Sequence, residues 1–215
     1  MIRNRVLTVA FVVLCCATAL TQAGKVERIA ALADAKSEIV SALEGKGYRA
    51  AFGGTQLAEI WLAKNVPDAK TGNTSAVYPQ FAKGEFVGVI KFLTPAKDFR
   101  GQEIKPGTYT MRYDLLPTDG NHMGVAAQPD FVLLVPVIED FDPTKIMAER
   151  VLINLGKRSS GTSHPAIFSM MSAGAANDFP SLFKSEDGFD VFAAKMNVGG
   201  KETPIAIVLN GHAAQ

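Results

Sequence analysis

Tyr109-Thr110-Met111-Arg112-Tyr113-Asp114-Leu115 alternates strictly: Tyr109, Met111, Tyr113 and Leu115 share one face, and Thr110, Arg112 and Asp114 share the other. A period of two belongs to a β-strand with one face in a core. The polar face is then expected to be wet or to carry a polar site. Lys105-Pro106-Gly107 supplies the tight turn that enters the strand, with proline fixing φ and glycine accepting a positive one. On either side lie EFVGVIKFL (Glu85 to Leu93) and DFVLLVPV (Asp130 to Val137), apolar at nearly every position. Such short apolar runs fit central strands covered on both faces.

Outward from this centre the strand signals continue. Tyr48 to Phe52 and Leu57 to Val66 are joined by Gly53-Gly54-Thr55, which reads as a hairpin turn. Phe189 to Val198 and Pro204 to Leu209 flank Gly199-Gly200-Lys201-Glu202 in the same way. Helical spacing is confined to two places. In KVERIAALADAKSEIVSALEGKG the residues Val26, Ile29, Leu32, Ile39, Val40 and Leu43 recur at helical intervals, and Gly45 and Gly47 end the pattern. Asp142-Pro143 suggests an N-cap and a first helical position, with a helix running to about Lys157 and Ile146, Val151, Leu152 and Leu155 available for packing. Strands that follow one another without helices between them disfavour βαβ winding. The expected fold is mainly β: an antiparallel β-sandwich of about eight strands with an N-terminal amphipathic helix and one inserted helix.

The start of the chain is set apart from this pattern. A positive opening with Arg3 and Arg5 precedes the 15-residue apolar run Val6 to Leu20, shorter than the ~20 residues a spanning helix needs. Ala17-Thr18-Ala19 and Thr21-Gln22-Ala23 both fit the small-x-small pattern of an export-signal cleavage site. Residues 1–23 are therefore expected to be a cleaved signal peptide, and residues 24–215 a single exported domain, periplasmic or extracellular. Cys15 and Cys16 would leave with the signal, which excludes disulfides, thiol catalysis and cysteine-ligated metal from the mature protein. Loss of Arg3 and Arg5 from 22 basic residues leaves 20 against 21 acidic ones. No positive field remains for nucleic acid, so a nucleic-acid partner is not expected. Nor does a second long apolar segment follow, so stable membrane insertion after cleavage is not expected.

The turn and strand PGTYT (Pro106 to Thr110) resemble the strand entry of secreted carbohydrate-binding and carboxypeptidase-regulatory-like sandwiches. A longer set of segments resembles uncharacterised exported bacterial proteins of β-sandwich type. It comprises GYR at Gly47, EIWL at Glu59, DFRGQEIKPGTYTMRY at Asp98, DGNHMG at Asp119, DFVLLVP at Asp130 and SHP at Ser163. That resemblance implies the fold and the export, and no activity.

Several catalytic signatures are absent: H-E-x-x-H, G-x-S-x-G, a P-loop and G-x-G-x-x-G do not occur. Polar residues at strand ends and loops are the remaining candidates for ligand binding: Asp98, Arg100, Arg112, Asp114, Asp119, His122 and His164. Asp119, His122 and His164 could hold a divalent metal if their two loops open at the same end of the fold. The plainer reading of Pro117-Thr118-Asp119-Gly120-Asn121-His122-Met123-Gly124 is a turn, because Asp-Gly and Asn tolerate positive φ and bond their own backbone. Ser163 and His164 are adjacent on an extended chain and point to opposite faces, so they cannot act together as nucleophile and base. Trp61, Tyr109 and Tyr113 could stack a sugar, but an apolar strand face favours core packing. The expected function is a non-catalytic module without a required cofactor that binds a small ligand or an envelope component. The rival is a metal-dependent or hydrolytic enzyme with a His/Asp loop site.

Overall fold

Antiparallel pairing, set by the alternation just described, organises nearly the whole chain. A computed structural model describes residues 24–70, 75–116 and 126–211. The strands are β1 (Lys25–Ile29), β2 (Gly47–Phe52), β3 (Thr55–Leu62), β4 (Phe86–Phe92), β5 (Ala96–Lys97), β6 (Glu103–Ile104), β7 (Gly107–Leu115), β8 (Asp130–Pro136), β9 (Ile167–Met171), β10 (Ser181–Lys184), β11 (Asp190–Val198) and β12 (Lys201–Asn210). Helix α1 is Ser37–Ala42 and helix α2 is Glu149–Ser160.

Ten of these strands form one sheet in the order β1-β2-β3-β4-β7-β8-β9-β12-β11-β10, while β5 and β6 pair with each other. The mainly β, antiparallel expectation is met. The two separate sheets of a sandwich are replaced by a single coiled sheet, nearly closed into a barrel. Its edges meet where Gly24 runs so close to β10 that a Cβ there would fall 2.3 Å from the Leu182 carbonyl oxygen. Bringing the two edges together shields the unpaired N–H and C=O groups that invite aggregation.

Gly53 and Gly54 take φ values of 60° and 81°, the left-handed pair that a two-residue hairpin requires. Gly199 and Gly200, at 57° and 81°, do the same between β11 and β12. Inside the sheet, Met111, Tyr113, Val132, Leu134, Phe168 and Ile207 belong to the main core. Trp61, Tyr109 and Tyr113 are buried in it, with Trp61 Nε1 donating to the Ala30 carbonyl at 2.9 Å. They are core residues, not an exposed stacking platform.

Two local expectations are corrected. Lys25–Ile29 is a strand paired with Gly47–Ala51, and only Ser37–Ala42 of the proposed N-terminal helix is helical. Val26 and Ile29, three apart, fit helical spacing, and pairing with the free edge of β2 overrides that local pattern in favour of a strand. The inserted helix begins at Glu149, not at Asp142. Asp142 instead accepts the Thr144 N–H at 3.0 Å, an Asx-type turn that satisfies the backbone locally. The later start also shifts the packing face: Leu152 is buried, whereas Ile146 and Val151 are exposed.

The face bearing Thr110, Arg112 and Asp114 is not wet. Helix α2 lies across it, with Leu152 packed among Phe131, Leu133, Val135 and Ile167. Gly156 permits this approach, since a Cβ there would stand 2.7 Å from Leu133 Cδ2 and 2.8 Å from Pro165 Cβ.

Candidate functional site

Between α2 and the outer face of β7, β8 and β9 the packing is incomplete and leaves a cleft of about 260 Å³. Its floor is apolar, formed by Leu116, Phe131, Leu133, Ile153 and Ile167, and Arg100, Asp114, Glu149, Lys157, Ser163 and His164 also line it. An apolar body with a few polar groups at its edge is the usual character of a small-molecule site. Glu149, Ile153 and Lys157 reach it together because residues four apart share one helix face. Asp114 reaches it from the last turn of alternation in β7. His164 enters from the loop after α2, and Arg100 from the turn between β5 and β6.

Of the residues singled out in the sequence, the structure brings Arg100, Asp114 and His164 to this one cleft. Arg112 and Asp98 are directed elsewhere. The Arg112 guanidinium is 1% exposed and is bound by Asp140, with Nη2 donating to Oδ1 at 2.7 Å and Nε to Oδ2 at 2.8 Å. The Asp98 carboxylate accepts the backbone N–H groups of Arg100 and Gln102 at 3.0 and 2.9 Å and the Gln102 Nε2 at 2.7 Å. Burial raises its pKa despite those donors. Asp98 thus holds the turn that presents Arg100 and does not itself face a ligand. Asp119 and His122 lie outside the described residues. Among the described residues no group of three metal-ligating side chains occurs.

Glu149, Lys157 and Phe131 were not recognised in the sequence as site residues. The Glu-x₃-Ile-x₃-Lys spacing was legible, but nothing in it says which helix face covers a cleft.

The Asp114 carboxyl is nearly buried, and that burial is the largest cause of its raised pKa. The Leu115 N–H, at 2.8 Å, and Lys83, at 3.6 Å, oppose the shift, while the negative charge of Glu149 adds to it. Replacing Glu149 by glutamine is therefore expected to lower the Asp114 titration midpoint, and Lys83→Met to raise it, as read by carboxyl carbon NMR. An unmoved midpoint in both variants would reject the pairing. The stability sign follows from the raised value: the folded state holds this proton more tightly, so stability declines as pH rises from the ordinary 3.8 through the raised midpoint. Asp114→Asn should flatten that decline in urea unfolding.

Comparison with protein-family models, with curated proteins and with solved structures found no match, which leaves the chain's own chemistry as the basis for a functional reading. Among the described residues no helix is long and apolar enough to cross a membrane.

Proposed function

We propose that this protein is an exported, non-catalytic binding module whose cleft between α2 and the sheet takes a small ligand with an apolar body. The observation that carries the reading is the composition of that cleft: an apolar floor from α2, β8, β9 and Leu116, with charged groups from separate elements beside it. The signal-like residues 1–23 and the resemblance to exported sandwich proteins support export. An aliphatic alcohol such as octanol is expected to shift the amide resonances of Leu116, Phe131, Ile153 and Ile167 and to leave those of β11 unmoved. Ile153→Trp fills the cleft and should abolish the shifts. Saturating octanol without change at these amides would overturn the reading.

An envelope partner is the second form of the same proposal. It is favoured by the exposure of Ile138 and Phe141, at 72% and 71%, on the connection from β8 to α2. Exposed apolar side chains grouped on one connection mark interaction surfaces more often than isolated ones do. The metal-dependent or hydrolytic alternative keeps one observation in its favour. His164 and Leu116 line the same cleft, and Leu116 precedes Asp119 by three positions in the sequence. Elemental analysis of the purified protein beside an Asp119/His122/His164 triple alanine variant tests it. Stoichiometric metal lost in the variant would support that reading, and its absence from the parent would reject the metal.

A further inference from the structure

The charges around the cleft are sorted by sign along its length. Glu149 stands at the first turn of α2 and lines the cleft together with Asp114. Lys157 stands eight residues further on the same helix face, about 12 Å away at ~1.5 Å per residue. The C-terminal part of α2 rests on Pro165 and Ala166, with the Ala166 N–H donating to the Gly156 carbonyl at 3.0 Å, so His164 belongs to this end. Arg100 belongs there too, because Asp98, two residues before it, also accepts the Ile167 N–H. Ile153 and the floor residues Phe131, Leu133 and Ile167 lie between the two ends.

An acidic residue at a helix start and a basic one at its end stabilise any helix. That requirement accounts for Glu149 and Lys157. It does not account for Asp114 from β7, or for Arg100 and His164 from two separate loops, converging on the same ends of one cleft. Among the described residues Arg100, Glu149 and Lys157 form no ion pair, and all three line the cleft. Lys83 offsets part of the Asp114 charge and leaves the acidic end net negative.

Resting on the binding function proposed above, we infer that the ligand is a bipolar zwitterion. Its cationic group lies against Asp114 and Glu149, its anionic group against Arg100, Lys157 and His164, and a narrow aliphatic stretch spans the floor. The volume of about 260 Å³ is below the ~300–1,000 Å³ of drug-sized sites, which favours a single chain over a ring system. Opposite poles reject molecules with two like ends, because one end would always meet its own sign.

Titration of the purified protein with aliphatic ω-amino acids, dicarboxylates, diamines and diols of matched length tests this. The ω-amino acid is expected to bind about tenfold more tightly than the other three, as two charge-assisted contacts imply. Glu149→Lys should move the preference to the dicarboxylate, and Lys157→Glu to the diamine. Glu149 is exposed and Lys157 half-buried, and circular dichroism verifies that each variant is folded. If the diol binds as well as the ω-amino acid, the zwitterion inference fails while the apolar cleft stands. If charge reversal leaves the preference unchanged, the inference also fails. If neither these compounds nor octanol bind, both readings fall together.

Discussion

Asp140→Ala is expected to destabilise the protein by ~3–5 kcal/mol, the cost of leaving a buried charge without its partner. Arg112 and Asp140 are each 1% exposed, so water does not replace a partner that is removed. Its other donors reach the carbonyl oxygens of Lys145 at 2.7 Å, Asp142 at 2.9 Å and Gly84 at 3.1 Å. These bonds tie the connection before α2 to β7, so the same variant should also weaken octanol binding in the cleft. Thr110 Oγ1, which donates to Asp140 Oδ2 at 2.7 Å, loses its best acceptor at the same time. Replacing both partners by apolar residues, Arg112→Met with Asp140→Leu, should recover most of the loss, because no stranded charge remains. Urea unfolding of the two single variants and the double variant measures the coupling. A loss below about 1 kcal/mol for Asp140→Ala would show that the pair contributes little.

Asp130→Ala is expected to cost roughly 3–6 kcal/mol, since two buried donors and one half-buried donor lose their acceptor at ~1–3 kcal/mol each and partly relax. The Asp130 carboxylate accepts the N–H of Val77 and of Tyr78, both at 2.8 Å, and the hydroxyl of Tyr113 at 2.7 Å. Burial, with Asp130 beside it, keeps the Tyr113 hydroxyl far above its ordinary ionisation range, so it remains a donor. The consequence reaches the weakest seam of the sheet. Strands β9 and β12 share only the pairs Met171 with Ala206 and Met170 with Ile207. Tyr78, held by Asp130, bridges that seam: its hydroxyl donates to the Met171 carbonyl and accepts the Ala206 N–H at 2.9 Å. Hydrogen exchange at Ala206 and Ile207 should therefore accelerate more than at Met111 or Val132. Uniform acceleration across the sheet would contradict a role for Asp130 in this seam.

Much of the β architecture was legible because it is written locally. Alternation in Tyr109 to Leu115 and the glycine pairs at 53–54 and 199–200 act over a few residues, and the structure follows them. The N-terminal stretch was misread for a related reason. Val26 and Ile29 carry helical spacing, and pairing with the free edge of β2 overrides it. The candidate site was partly legible: Arg100, Asp114 and His164 meet in the cleft, whereas Arg112 and Asp98 are consumed by internal hydrogen bonds. Residue type identifies a polar side chain but not its partner, and Asp140 lies 28 positions from Arg112.

The sequence alone determined the strand-rich character, the positions of the tight turns and the face on which Thr110, Arg112 and Asp114 lie, since each depends on short-range sterics and periodicity. Tertiary structure alone decided that this face is buried under α2 and the connection that precedes it, that ten strands join into one sheet, and that charges of opposite sign gather at opposite ends of a cleft. These depend on contacts between residues distant in the chain, whose free energy no local pattern encodes.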